Sequence, residues 1–171
     1  MVTDTRRPTV PTAEPDNPAV LASRMANWPT RISLIVLEAF MAFTAIWGAI
    51  FVVPAIPREW LGKGLINPFA DLTIPALALG ILCGGSALIA LIAVIKSPRL
   101  GALASLVAGV FMVGFELVEI TVVGFTATMY PTEPPAWLQI VYLVLGAAIA
   151  TLGMRLWKAV TGSYRLSWPL L

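Results

Sequence analysis

The chain has 171 residues, of which 58% are apolar and only 12% are charged, and its net charge is +2. Soluble domains carry roughly 25% charged residues, so this chain lacks the polar surface that a soluble core needs and its composition favours a membrane protein. The small net charge and the absence of a basic patch argue against nucleic acid as a partner. With no histidine and a single cysteine, Cys83, the chain can form neither an internal disulfide nor a paired-cysteine redox centre. We therefore expect no metal site and no cofactor.

The amino-terminal segment is polar and rich in proline, so it cannot bury enough apolar area to offset its chain entropy. We expect residues 1–30 to form a disordered cytoplasmic tail, in which 19–28 could fold as a short helix on the membrane surface. Trp28 and Arg31 then suit the headgroup zone.

Four long apolar runs follow, and each exceeds the roughly 20 residues that a membrane-spanning helix needs. Together they predict a four-helix membrane domain over 31–158, followed by a cytoplasmic tail at 159–171. The turn at 96–99 is so short that the second and third helices must be antiparallel neighbours. The predicted spans cover, in chain order, about residues 32–56, 72–95, 101–126 and 136–157.

The lysines and arginines are distributed unequally between the two sides of these runs. Only Arg58 and Lys63 lie between the first and second runs, whereas the other nine lie on the side of both termini. Basic residues concentrate on the cytoplasmic side of membrane proteins. The sequence therefore predicts an all-α integral membrane protein, a four-transmembrane-helix bundle with both the amino and the carboxyl terminus inside.

Three carboxylates, Glu38, Glu116 and Glu119, lie inside the predicted spans. An acidic residue at a helix centre costs on the order of 2.5–3.5 kcal/mol, so these side chains are expected to face the bundle interior, pair, or lose their charge. Glu116 and Glu119 are three residues apart and share one helix face. Two neighbouring carboxylates cannot both ionise cheaply in a low dielectric, so we expect at least one to hold a proton.

Depth separates Glu38 from the other two acids. At about 1.5 Å per residue, Glu38 lies about 10 Å from the cytoplasmic end, Glu116 about 22 Å and Glu119 about 27 Å. Glu38 is thus a second, separate intramembrane acid, which could approach the inner interface or pair with Arg155.

The fourth helix enters from the outside, so its first polar residues reach the level of the glutamate pair. We predict one polar cluster in the outer half of the bundle, with Thr44 and Trp47 of the first helix at similar depth. Hydrogen bonds that only hold the helices together are the first interpretation, at about 0.6 kcal/mol each. A proton, cation or ligand site is the second, and lipid-edge exposure of Glu119 is the third. The cluster consists of Glu116, Glu119, Gln139 and Tyr142.

Small residues in the second and fourth runs predict close helix packing, because they let backbones approach. The packing candidates are Gly80, Gly84, Gly85 and Gly146. Packing inside the bundle is the main expectation, and dimerisation through the second helix is the alternative. Cys83 lies among these glycines and is interpreted as a small apolar filler.

The chain resembles a group of small, uncharacterised four-span membrane proteins of actinobacteria and related bacteria. The resemblance covers about residues 34–155 and implies a four-span topology in the bacterial plasma membrane, with no activity to carry over. The stretches that carry it are Asn-Pro-Phe-Ala-Asp at 67–71, Thr-Ile-Pro at 73–75, Gly-Gly-Ser at 84–86, Gly-Phe-Glu-Leu-Val-Glu at 114–119, Val-Gly-Phe at 123–125, and Trp-Leu-Gln at 137–139 before Tyr142.

The sequence shows no nucleophile–base pair, metal cluster or phosphate-binding loop, so we predict no catalytic residue. The first hypothesis is a non-enzymatic membrane protein that binds a partner or supports an assembly. The alternative is a small proton- or cation-coupled transporter that uses Glu116 and Glu119. An enzyme acting on a lipid or quinone is the weakest. The expected partners are the lipid bilayer and either a second copy of the chain or another membrane protein.

Overall fold

The computed structural model describes residues 18–52, 73–123 and 136–162, and these residues form helices and no strand. Residues 1–17, 53–72, 124–135 and 163–171 lie outside the described residues, and they include Arg58 and Lys63 and the predicted proline-rich break at 131–135. The helical elements are α1 (Pro18–Trp47), a first π-helical segment (Gly48–Val52), α2 (Thr73–Leu77), a second π-helical segment (Ala78–Gly85), α3 (Ser86–Lys96), α4 (Pro98–Val123) and α5 (Ala136–Thr161).

Four stretches of these helices are long and apolar enough to cross a membrane, which confirms the predicted number of membrane-length helices. The predicted ends of the first and third spans, at 56 and 126, lie outside the described residues. The stretches are span 1 (Asn27–Phe51), span 2 (Thr73–Lys96), span 3 (Pro98–Thr121) and span 4 (Trp137–Thr161).

Helix α1 begins before the first apolar run. Residues 18–30, for which the sequence predicts a disordered tail with a separate surface helix at 19–28, are helical and continuous with span 1. Pro29 lies inside this helix and removes one backbone hydrogen bond. The residues before it include alanine, leucine, arginine and methionine, which are strong helix formers, so the helix extends across the proline.

The spans form a bundle in which each packs against its neighbours along the chain. α4 packs most extensively on α5 and then on α3, while α1 packs on α3, on the second π segment and on α5. α1 and α4 meet only weakly across the diagonal. The fully buried side chains at the centre of the bundle include Leu34, Met41, Ala87, Met112 and Ile149.

Two helix ends show why the chain turns where it does. After α3, Ser97 is extended (φ −148°) and its N–H donates to the Ala93 carbonyl. Pro98 then begins α4, a position where its missing N–H is not needed. After α5, Gly162 adopts φ +72° and donates its N–H to the Lys158 carbonyl at 2.8 Å. A glycine in this left-handed conformation is a common helix terminator.

Arg31 ties span 1 to the carboxyl end of α3. Its guanidinium Nη2 donates to the Val94 carbonyl at 2.9 Å and to the Ile95 carbonyl at 3.4 Å. The last carbonyls of a helix have no intrahelical partner and carry partial negative charge. The Arg31 guanidinium supplies both the missing hydrogen-bond donor and a compensating positive charge.

Glycines line the tightest helix contacts. A Cβ added to Gly84 would lie 2.7 Å from Ile46 Cγ1 of span 1, and one added to Gly80 would lie 3.0 Å from Ala49 Cβ. Gly146 is equally close to α4, at 3.0 Å from the Gly109 carbonyl oxygen. Gly85 differs, because the nearest atom to its added Cβ belongs to its own segment, at 3.9 Å.

Two glycines that the sequence analysis passed over complete the contact between α4 and α5. A Cβ on Gly109 would lie 2.5 Å from both the Ala150 nitrogen and the Gly146 oxygen, and one on Gly153 would lie 2.9 Å from the Leu106 nitrogen. The neighbouring atoms are backbone and cannot move without moving the helix.

The substitution Gly109→Ala should therefore lower the stability of the bundle, by on the order of 1–3 kcal/mol as other overpacking changes do. Gly114→Ala is the matched control on the same helix, because an added Cβ there meets nothing within 4 Å. Thermal unfolding in detergent measures both variants. Equal melting temperatures for the two would contradict the close contact.

Candidate functional site

The outer polar cluster forms where the end of α4 meets the start of α5. Glu116 is 3% exposed and Gln139 is 5% exposed, and Glu119 is half-buried one helical turn beyond Glu116. The Gln139 amide Nε2 donates to Glu119 Oε1 at 3.1 Å. The structure thus brings together three of the four residues in the cluster that depth along the spans predicts.

This cluster has more hydrogen-bond acceptors than donors. Glu116 Oε2 and Gln139 Oε1 are buried and have no partner among the described residues. Leaving a buried acceptor unpaired costs about 1–3 kcal/mol. A proton on a carboxyl group, or a ligand that donates hydrogen bonds, would recover that cost.

Cys83 packs against α4 near the level of the cluster. It lies in the second π segment, is fully buried, and its Sγ is 3.9 Å from the Phe111 carbonyl oxygen. It is close enough to Glu116 and Glu119 for their charges to act on it. The thiol therefore fills space, as the sequence predicts, but it does so beside the two acids.

Three residues expected at or near the cluster lie elsewhere or make no hydrogen bond to it. Tyr142 is half-buried against the core, and within the described part of the chain it donates no hydrogen bond to either glutamate. Thr44 Oγ1 donates to the Phe40 carbonyl of its own helix at 2.8 Å. Trp47 is 51% exposed and its ring lies 4.3 Å from that of Phe51, on the outer face of span 1. Depth along the spans predicts their approach to the cluster, whereas Trp47 faces outward and Thr44 Oγ1 donates within its own helix.

The second buried acid, Glu38, belongs to a separate inner pair. Its side chain is fully buried, and its Oε1 is in hydrogen-bond contact with Ser105 Oγ of α4. Ser105 Oγ also donates to the Gly101 carbonyl at 2.7 Å. Glu38 Oε2 has no hydrogen-bond partner among the described residues. Arg155, which the sequence analysis considers as a partner of Glu38, is exposed. The hydrogen-bond partner of Glu38 is Ser105.

The described residues contain no group of three His, Cys, Asp or Glu side chains arranged to hold a metal ion. The two polar sites therefore offer carboxyl, amide and hydroxyl groups, whose chemistry is proton binding and hydrogen bonding. The chain matches no protein-family model, no curated protein and no solved structure.

A double-mutant cycle tests the hydrogen bond between Gln139 and Glu119. We expect Glu119→Met and Gln139→Leu to be coupled by about 0.6 kcal/mol, with about 1.7 kcal/mol as the upper bound for such bonds in membrane helices. The control cycle pairs Glu119→Met with Tyr142→Phe and should give no coupling. Stronger coupling to Tyr142 than to Gln139 would show that the tyrosine is the true partner.

Proposed function

We propose that the chain is a multi-pass integral membrane protein of the bacterial plasma membrane that works by binding, not by catalysis, with both termini in the cytoplasm. The four membrane-length helices support insertion, and they expose large apolar side chains around the whole bundle, such as Phe43, Ile89, Val110 and Val144. Such a surface suits lipid and would be unusually apolar for a soluble monomer. The bacterial location is based on the resemblance described above.

The distribution of basic residues supports the orientation. Every lysine and arginine within the four spans lies at the end of the bundle that contains Ser97, here called the Ser97 end. Arg99 lies 5.8 Å above the Trp157 ring at this end. The basic residues concerned are Arg31, Lys96, Arg99, Arg155 and Lys158.

Reporter fusions test this orientation directly. A reporter inserted at Ser97 or joined to the carboxyl terminus should show cytoplasmic activity, and one inserted at Lys63 should show external activity. An external carboxyl terminus would contradict the orientation, and combined with a cytoplasmic Ser97 it would also contradict the two spans that follow Ser97.

The unpaired acceptors of the outer cluster support a binding role. Glu116 Oε2 and Gln139 Oε1 both lack donors within the described residues, and the neighbouring Glu119 adds negative charge when ionised. A group that enters this cluster must therefore donate hydrogen bonds, and a positive charge would favour it further. Ammonium meets both conditions, whereas Na⁺ or K⁺ carries the charge and would coordinate the same oxygens directly instead of donating a hydrogen bond.

Thermal unfolding in lipid nanodiscs tests this binding. Choline in the buffer is replaced stepwise by ammonium, Na⁺ or K⁺ at constant ionic strength. A ligand at about 100 times its Kd stabilises the folded state by about 2.7 kcal/mol. We expect at least one cation to raise the melting temperature of the wild type, and Glu116→Gln to abolish that rise.

Glu38→Gln is the control, since Glu38 lies outside the outer cluster and its variant should keep the cation response. The absence of any cation response in the wild type would contradict the cation site. A response that survives in Glu116→Gln would also contradict it, because the cation would then bind elsewhere.

The second candidate is a small proton- or cation-coupled transporter. It is favoured by the presence of buried acids at two levels, Glu38 towards the Ser97 end and Glu116 towards the opposite end. Ion flux into liposomes separates the two candidates. A transporter should show flux that Glu116→Gln abolishes, whereas a binding protein should show the cation response without flux.

A further inference from the structure

In the inner pair of Glu38 and Ser105, two oxygen atoms lie within hydrogen-bond distance of a single hydroxyl group. Ser105 has a single hydroxyl proton, yet two acceptors are in contact with its Oγ: the Gly101 carbonyl oxygen at 2.7 Å and Glu38 Oε1. One proton cannot satisfy both. Either Ser105 donates to Glu38, or it donates to Gly101 and Glu38 is itself the donor.

Burial decides between these two arrangements. If Ser105 donated to an ionised Glu38, a fully buried carboxylate would have one hydrogen bond, and its Oε2 would have no partner in the described part of the chain. An uncompensated buried charge costs several kcal/mol. If Glu38 is neutral and donates to Ser105 Oγ, the serine can donate back along its helix to residue 101, as serines in helices commonly do.

We propose that Glu38 and Ser105 form a proton-binding site in which the neutral carboxyl group of Glu38 donates to Ser105 Oγ and Ser105 donates to the Gly101 carbonyl. The ligand is a proton. This site is distinct from the outer cluster and does not depend on the cation binding proposed for it.

The described basic side chains on the elements packed around Glu38 contact other groups or are exposed. On α1 itself, Arg31 donates to the Val94 and Ile95 carbonyls. On α3, Lys96 is exposed, and on α5, Arg155 and Lys158 are exposed. On α4, Arg99 lies over the Trp157 ring. Among the described side chains, none of these cations forms a hydrogen bond with Glu38, so a proton is the means by which its charge is neutralised.

An apolar layer separates the inner site from the outer cluster. Ser105 and Glu116 are eleven residues apart on α4, which corresponds to about 16 Å along the helix. Fully buried Ala108 and Met112 lie between them on α4, and fully buried Met41 lies beyond Glu38 on α1. No hydrogen-bonding side chain among the described buried residues bridges this layer, so the two sites should bind their protons independently.

Infrared spectroscopy of the protein in nanodiscs at neutral pH tests the proposal. A protonated carboxyl group absorbs in a region well separated from that of a carboxylate. The difference between wild type and Glu38→Gln should show the loss of one protonated carboxyl band. The same band should persist unchanged in Glu116→Gln, because the sites are independent.

Ser105→Ala provides the second test and does not require Glu38 to be replaced. The Glu38 band should remain, but its carbonyl frequency should rise because the carboxyl group has lost its hydrogen-bond acceptor. The loss of a carboxylate band in Glu38→Gln would overturn the proposal, since Glu38 would then be ionised. An unchanged frequency in Ser105→Ala would overturn the role of the serine, and a shift of the band in Glu116→Gln would overturn the independence of the sites.

Discussion

The backbone contact between α4 and α5 determines where both polar sites lie. Gly109 faces Gly146 and Ala150 so closely that a single added carbon would meet main-chain atoms at 2.5 Å. Because this contact fixes the separation and the register of the two helices, Gln139 at the start of α5 falls opposite Glu119 near the end of α4, within hydrogen-bond distance. At the other end of the same contact, Gly153 packs on Ala102 and Ser105. That leaves the Ser105 hydroxyl to meet Glu38 from α1.

The contact between span 1 and span 2 follows a different principle. Between spans 1 and 2, the side chain of Ile46 packs against Gly84 and that of Ala49 packs against Gly80. Between α4 and α5, by contrast, backbone packs directly on backbone. Both spans become π-helical in this region, at Gly48–Val52 and Ala78–Gly85. A π-helical turn changes the direction in which subsequent side chains point, and such turns are frequent at functional sites. In span 2 this segment carries Cys83, which it buries beside the glutamate pair.

The number of helices could be predicted from the sequence because a long apolar run has few alternatives to a membrane-length helix. The pairing of Glu119 with Gln139 could be anticipated from depth, since the chain reverses between them. The same reasoning could have found Ser105. It lies seven residues after Pro98, as Glu38 lies seven residues after Arg31, so both are about 10 Å from the same end. The shared depth of Ser105 and Glu38 can be read from the sequence. A lone serine in an apolar run predicts no partner by itself, however, because its hydroxyl can donate to a carbonyl of its own helix.

Depth along a span does not determine the direction in which a side chain points around the helix axis, and this direction could not be predicted from the sequence. Trp47 reaches the level of the outer cluster but packs against Phe51, with the two rings tilted by 35°, on the outer face. Gly84 and Gly85 are adjacent in sequence, yet only Gly84 lies against span 1, because consecutive residues along a helix point in different directions. The π segments have no signature in composition or periodicity, so their positions at 48–52 and 78–85 could not be predicted from the sequence.

The balance of donors and acceptors bears on whether the outer cluster merely holds the helices together. A network that only holds helices together stabilises the fold most when every buried polar atom is hydrogen-bonded, because each unpaired acceptor destabilises the folded state by about 1–3 kcal/mol. Here Gln139 uses its amide to reach Glu119, while its own carbonyl oxygen and Glu116 Oε2 are left without donors among the described residues. A proton on Glu116 Oε2 that is donated to Gln139 Oε1 would engage both oxygens in one hydrogen bond, and a donor that enters the cluster would engage them without that proton. The two unpartnered oxygens therefore separate two arrangements, a closed network with a neutral Glu116 and an open one that takes a donor from outside the chain, and the second is the arrangement on which the proposed binding role depends.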